Sequence, residues 1–237
     1  MAPILLIHGA WHGAWCWDRL IPVLTARGRK AVAIDLPGGG DDQTPLAEVT
    51  LDLYAQRVVE ALEALDEPAI LVGHSMGGLS ITEAAERAPE RVAKLVYLCA
   101  FIPRDGETLL SLAGESDPAD VAMETIFSDD GLSITVADET IKPAFYADCS
   151  DQDVAFAKAR LRPLAMKPGT TQVHVTTERF GRVPRVYIEC TEDRAIPIAR
   201  QRAMAAASAP IEVHTLTTSH SPFFSAPEAL ADILAGL

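Results

Sequence analysis

A chain of 237 residues, 49% of them hydrophobic and 22% charged, is long enough for one domain with a sizeable core and too apolar for intrinsic disorder. Its formal net charge of -13 repels polyphosphate and argues against a nucleic-acid partner. The four cysteines, Cys16, Cys99, Cys149 and Cys190, show no CxxC pair and no metal-ligand spacing; Cys99 and Cys190 close apolar runs, as small core fillers do. The chain passes at once into Pro3-Ile4-Leu5-Leu6-Ile7 with no basic leader, and no apolar run approaches the ~20 residues of a membrane span. The expectation is a cytoplasmic protein without membrane association, either a monomer or a homodimer.

In chain order, short apolar runs alternate with longer amphipathic ones. Strands are predicted at Ile4–His8, Ala31–Leu36, Ala69–Gly73, Lys94–Ala100, Arg185–Cys190 and Ile211–Leu216, several of them apolar throughout, as strands covered on both faces must be. Between the second and third, Leu51, Tyr54, Val58, Leu62 and Leu65 recur at three- and four-residue steps and predict a helix. Further helices are predicted over Gly78–Ala88, Ile198–Ala207 and Pro227–Leu237. Strands alternating with helices imply a mostly parallel, six-stranded, doubly wound α/β sheet. Residues 101–180 break the rhythm. They carry 14 acidic and 7 basic residues, with short helical patches such as Asp151–Leu161. This segment reads as a helical cap inserted into a core made of residues 1–100 and 181–237.

The chemistry concentrates at Gly73-His74-Ser75-Met76-Gly77, a Gly-x-Ser-x-Gly placed between a buried strand and a helix. A serine hydroxyl is a poor nucleophile and must stand clear of the sheet where a base can reach it, which a strained strand-to-helix turn achieves. The pentapeptide alone is a weak signal, and its placement makes it strong. Acyl transfer also needs donors for the developing oxyanion. The backbone N–H of Met76, after the nucleophile, is one candidate; the N–H of Ala10, in the loop after the first strand, is the other. His8 and His12 could suggest a zinc pair, but Gly9 and Gly13 argue against a helix there and no third ligand is evident.

The general base should follow the acid in chain order. His220 lies four residues past the last strand, at the carboxyl edge of the sheet where Ser75 also emerges; His214, inside that strand, is the alternative. For the acid, Asp193 follows the fifth strand directly, with Glu192 beside it and Asp105 after the fourth strand as competing choices. Gly38-Gly39-Gly40 is followed by Asp41 and Asp42, which would repel a phosphate, and no Gly-x-Gly-x-x-Gly opens a helix after the first strand, so neither a dinucleotide nor any other cofactor is expected. Trp11, Trp15 and Trp17 cluster beside the Ala10 loop. They read chiefly as packing anchors, with Trp11 the one best placed to touch substrate.

The runs His8-Gly9-Ala10-Trp11-His12-Gly13-Ala14-Trp15, Gly73-His74-Ser75-Met76-Gly77-Gly78 and Tyr187-Ile188-Glu189-Cys190-Thr191-Glu192-Asp193 resemble the plant methyl esterase and hydroxynitrile lyase family of α/β-hydrolases, the salicylate-binding methyl esterases included. The likeness extends through Cys149-Ser150-Asp151-Gln152-Asp153 and Glu178-Arg179-Phe180-Gly181. The tail Ser219-His220-Ser221-Pro222-Phe223-Phe224-Ser225 is similar to bacterial carboxylesterases, pyrethroid-hydrolysing ones among them. The resemblance implies an α/β-hydrolase core, a helical cap over an apolar pocket, and Ser75, Asp193 and His220 as a triad. The lyases of this family carry a threonine where this chain has Gly9 and a lysine where it has Ser221. The expectation is therefore a cofactor-free serine esterase acting on small, neutral, largely apolar esters such as methyl or aryl esters, with a pocket touched by Gly9, Trp11, Phe145 and Ser221. The alternatives are cyanohydrin cleavage, a ligand receptor that keeps a slow triad, and hydrolysis of another acyl bond such as a lactone or thioester.

Overall fold

Apolar runs covered on both faces can only pair with one another, and the helices between them set the order in which they do so. In the computed structural model, which describes residues 1–114, 123–208 and 211–237, the chain begins with β1 (Ile4–Ile7), α1 (Leu20–Ala26), β2 (Ala31–Ile34), α2 (Leu51–Glu63), β3 (Ala69–His74), α3 (Gly77–Arg87) and β4 (Val92–Leu98). There follow α4 (Leu109–Ala113), β5 (Thr125–Phe127), β6 (Ser133–Val136), α5 (Asp138–Phe145), α6 (Asp151–Lys158), β7 (Leu164–Ala165) and α7 (Lys167–Thr170). The chain closes with β8 (Arg185–Cys190), α8 (Ile198–Ala207), β9 (Glu212–Leu216), α9 (Pro222–Ser225) and α10 (Pro227–Gly236).

The main sheet has the order β2-β1-β3-β4-β8-β9, and each of its pairings is parallel. Alternation along the central strands divides the core into two layers. Leu5, Ile7, Leu71, Leu95 and Tyr97 join Tyr54, Val58 and Leu62 of α2 and Leu79 of α3 on one face. Ile4, Leu6, Ile70, Val72, Val96 and Leu98 meet Leu20 and Leu24 of α1 and Leu230 and Leu234 of α10 on the other. Helices on both faces make the sheet doubly wound. The strand reversal that places β3 beside β1 and sends β2 to the far edge brings the carboxyl ends of β1 and β3 together, the position at which open α/β sheets hold their ligands.

The segment between β4 and β8 differs from its wholly helical expectation. Besides α4 to α7 it holds a second, antiparallel sheet in the order β5-β6-β7. The local cause is readable: Ser133-Ile134-Thr135-Val136 is rich in β-branched residues, and Asp129-Asp130-Gly131 turns the chain between β5 and β6 with Gly131 at φ 68°. The helical patch at 151–161 is present as α6, where the Ser150 hydroxyl accepts the Asp153 amide and caps the first turn. Residues 115–122 of the segment lie outside the described residues.

Two glycines of the β3–α3 turn decide how closely the elements approach. A Cβ on Gly77 would lie 2.7 Å from the His8 carbonyl oxygen, and one on Gly78 would land on the carbonyl oxygen of Phe101. Both obstacles are backbone, so neither can swing aside. Gly78→Ala should therefore cost on the order of 1–3 kcal/mol by overpacking, lowering Tm by roughly 2–4 °C per kcal/mol in a chain of this size. Thermal melting checks this, and an unchanged Tm would show that β4 is not held against the start of α3.

Candidate active site

The turn after β3 puts Ser75 in the left-handed region, at φ 54°, where a side chain is strained. Its backbone is held from two directions: the Ser75 amide donates to the Leu98 carbonyl at 3.3 Å, and the Phe101 amide donates to the Ser75 carbonyl at 3.1 Å. Ser75 is half-buried between the buried His74 and Met76. The strand-to-helix turn thus lifts one hydroxyl clear of an otherwise closed surface.

His220 sits past β9, buried, with its Nδ1 donating to Asp193 Oδ2 at 2.7 Å. That contact leaves Nε2 as the ring nitrogen able to take a proton. Asp193, just past β8, is itself buried and saturated with donors. Its Oδ1 accepts the amides of Ala195 at 2.8 Å and Ile196 at 2.9 Å, and its Oδ2 accepts Gln201 Nε2 at 3.1 Å. Gln201, reaching over from α8, also accepts the Cys190 amide at 3.0 Å and so ties the carboxylate to the end of β8. The competing choices are engaged elsewhere. The Asp105 side chain is 67% exposed and bonds the Val175 amide and His174; Glu192 is exposed; His214 pairs with Glu212 at 2.9 Å on the edge strand.

The loop after β1 completes the arrangement. Ala10 and Met76 are both buried, and among the described residues neither backbone amide has a protein acceptor outside the regular elements. Gly9 lies so near Ser75 that a Cβ there would come within 2.8 Å of the serine Cβ. Trp11 adopts φ 63°, donates from Nε1 to the Ile134 carbonyl at 3.0 Å, and tilts its ring against Phe145 at 5.6 Å. A pocket opens beside Ser75's neighbours, walled by Gly9, Trp11, Tyr54, Met76 and the stretch Arg162 to Ala165. Arg162 is the one charged side chain on that wall among the described residues. Phe145 stands instead at 5.8 Å from the His220 ring, and Ser221 is fully buried with no partner for its hydroxyl among the described residues.

Several contributors carry no sequence signal. His74, one residue before Ser75, donates from Nε2 to the His220 carbonyl at 2.8 Å, a link across 146 residues. Burial first, and then the neighbouring imidazoles of His220 and His12, hold His74 well below an ordinary imidazole pKa, so it is neutral. The Cys99 thiol donates to the same carbonyl at 3.5 Å. His74, Cys99 and His220 are the one trio of potential metal ligands among the described residues, with ligand atoms within 4.8 Å of one another, yet His74 Nε2 and His220 Nδ1 are already committed. His8 and His12 form no such group; their ring nitrogens bond backbone and Tyr146.

Asp148 was likewise silent in the sequence. Its carboxylate accepts the Ser219 amide at 2.9 Å and the Ser219 hydroxyl, fixing the residue that precedes His220. Burial works against the charge, but the Ser219 hydroxyl and amide outweigh it and hold the carboxyl below its usual range. A depressed folded-state pKa stabilises above the unfolded value, near ~4, and that contribution is lost as pH falls through the folded value. Asp148→Asn should thus lower Tm near neutrality and shrink the loss of Tm on acidification. Melts between neutral and acid pH check both; parallel wild-type and variant curves would contradict the assignment.

A serine on a strand–helix turn, with an acid after β8 and a histidine after β9 on this parallel sheet, defines the class of α/β-hydrolases. The comparisons agree: the chain belongs to the alpha/beta hydrolase family, whose pattern matches residues 4–233. It is 38% identical over 212 residues to salicylic acid-binding protein 2 of Nicotiana tabacum, covering 84% of this chain and 82% of that one. It is 34% identical over 244 residues to methylesterase 1 of Arabidopsis thaliana, covering 96% and 92%. Among solved structures, a pyrethroid hydrolase from Sphingobium faniae JZ-2 superposes with a TM-score of 0.88 at 31% identity, covering 99% of this chain and 96% of that one. Methylesterase 1 and the pyrethroid hydrolase are hydrolases by name, which marks this chain as a hydrolase. No helix among the described residues is long and apolar enough to cross a membrane.

Proposed function

We propose that the protein is a serine esterase that hydrolyses small, neutral carboxylic esters of methyl or aryl type through an acyl-enzyme. The observation that carries this reading is the buried Asp193–His220 pair at 2.7 Å, which leaves Nε2 as the ring nitrogen able to take a proton, together with a strained, half-buried Ser75 on the turn after β3. The Ser75 hydroxyl attacks the ester carbonyl carbon while its proton passes to His220 Nε2. The carbonyl oxygen becomes an oxyanion held by the N–H groups of Ala10 and Met76. As the intermediate collapses, the C–O bond to the alcohol breaks and His220 returns the proton to the departing oxygen. Water then attacks the acyl-serine, giving its proton to His220, and the acid leaves with Ser75 restored. Asp193 keeps the His220 proton on Nδ1 throughout and stabilises the imidazolium. Segment 101–180 acts as the cap of the pocket, whose wall sets the apolar side chains of Trp11, Met76 and Leu164 beside the charged Arg162.

The names of methylesterase 1 and the pyrethroid hydrolase support ester hydrolysis, and the contacts at Gly9 weigh against the lyase alternative. A threonine there would meet Ser75 Cβ at 2.8 Å and His74 at about the same range, 3.0 to 3.1 Å, so the hydroxyl that the lyases use has no place without movement of the turn. Ser221 supplies no cation for departing cyanide. Benzaldehyde release from mandelonitrile should stay at the enzyme-free rate while aryl and methyl esters turn over; faster mandelonitrile cleavage than hydrolysis of any ester tested would replace the esterase reading with the lyase.

The triad assignment makes a graded prediction. Ser75→Ala should lower kcat by about 10⁴–10⁶-fold with the fold intact, and Asp193→Asn by roughly 10³–10⁴-fold. Asp105→Asn should leave kcat near the wild-type value. Steady-state kinetics on p-nitrophenyl esters decide; a severe Asp105 variant beside a mild Asp193 variant would overturn the assignment.

A further inference from the structure

Two buried histidines outside the triad hold the loop that carries Ala10, and their hydrogen bonds fix their tautomers. His8 Nε2 receives the Leu36 amide at 3.0 Å; an amide can only donate, so Nε2 is unprotonated and the proton is on Nδ1. That proton is donated to the Gly9 carbonyl at 2.8 Å. His12 Nδ1 lies 2.6 Å from the Ala10 carbonyl, which can only accept, so the proton is again on Nδ1 and Nε2 accepts the Tyr146 hydroxyl at 2.6 Å. Both rings are 3% exposed or less. Desolvation keeps both neutral and takes His12 down to about 3, although the backbone bond to Ala10 works the other way.

The Gly9 carbonyl and the Ala10 amide belong to one planar trans peptide, on which C=O and N–H point in opposite directions. Pinning the oxygen on His8 therefore aims the Ala10 N–H away from His8 and polarises it, since hydrogen bonds in a chain strengthen one another. His12 pins the following carbonyl, so that the peptides on both sides of the Ala10 Cα are held. Tyr146 caps α5 at its C-terminus in segment 101–180, and through His12 that segment reaches the loop.

We propose that His8 and His12 are positioning residues that aim the Ala10 N–H at the oxyanion, and that the Tyr146 hydroxyl locks His12 in the tautomer this requires. The proposal rests on reading Ala10 as an oxyanion donor. The ring nitrogens of both histidines are committed to the loop, to Leu36 and to Tyr146, so their effect should appear chiefly where negative charge develops.

The test uses three ligands of the full-length protein: an aryl ester for kcat and KM, an aryl trifluoromethyl ketone that forms a tetrahedral oxyanion on Ser75, and the product acid as a ground-state ligand. Loss of a whole oxyanion donor is worth about 10²–10³ in kcat, so mis-aiming one should cost on the order of 10-fold. Tyr146→Phe, which removes one oxygen, should lower kcat about 3- to 10-fold and weaken the ketone by the same factor, with KM and product affinity within about 2-fold. His12→Phe should do so more strongly, roughly 10- to 100-fold, and adding Tyr146→Phe to it should change nothing more, because the hydroxyl acts through the ring. His8→Phe should show the same pairing of kcat and ketone losses. Variants that bind the ketone as tightly as a wild type that binds it well would overturn the proposal alone, as would additive losses in the double variant. A wild type that binds the ketone no better than the product acid would remove the oxyanion reading of Ala10, and the proposal with it.

Discussion

Everything around the site depends on how closely three backbones can approach at one point. Ser75 is held at φ 54° because β3 turns into α3 with almost no space between the β1 loop on one side and the end of β4 on the other. Gly9, Gly73, Gly77 and Gly78 converge there, and a Cβ on any of them would meet another chain segment at 2.9 Å or less. The strain of a left-handed serine, of order 1–3 kcal/mol, persists because its amide and carbonyl are both bonded to the β4 end, at Leu98 and Phe101. Relaxing the turn would require moving two strands of a parallel sheet that is covered on both faces. The rigidity of the sheet is thus what keeps the hydroxyl presented.

The second constraint is electrostatic. A carboxylate as buried as Asp193 is costly unless its lone pairs are met, and here two amides, a side-chain amide and an imidazole meet them. The donors come from the loop after β8, from α8 and from the loop after β9, so the charge is satisfied only when those elements are docked together. His220 is held in turn through its own carbonyl by His74 and through its predecessor by Asp148. His220 is thereby clamped by groups from β3, the loop after β8 and the segment between β4 and β8.

This division explains what could be read from residues alone. The central strands were legible because a parallel sheet covered on both faces demands uninterrupted apolar runs, and Ile4 to Ile7 or Ala69 to Val72 can hardly be anything else. The strained turn at Ser75 was legible from its glycines, and the positions of Asp193 and His220, which the structure pairs, from their places after strands. Boundaries shifted where tertiary contacts took over: β4 ends at Leu98 rather than Ala100 because Cys99 turns to φ 34° and Phe101 bonds Ser75. The β5-β6-β7 sheet was missed because its strands are two to four residues long and give no periodic signal. Asp148 and Tyr146 were missed because their partners lie 71 and 134 residues away, and nothing local distinguishes an aspartate that clamps a loop from one that faces water.

The same separations bear on how the molecule comes together during folding. The serine turn needs only β3, α3, the strands that flank them and the chain just past β4, all contained in residues 1–101. The acid and base join only after β8 and β9 have docked beyond β4, across an intervening segment that must fold back upon the β1 loop. Bringing such distant stretches into contact carries loop-closure entropy that is repaid only when the last strands pair. A chain arrested partway would present its serine on a half-built sheet, with no partner to take the proton. The serine turn and the Asp193–His220 pair are therefore joined only in the completed sheet, so that one site spans nearly the whole length of the chain.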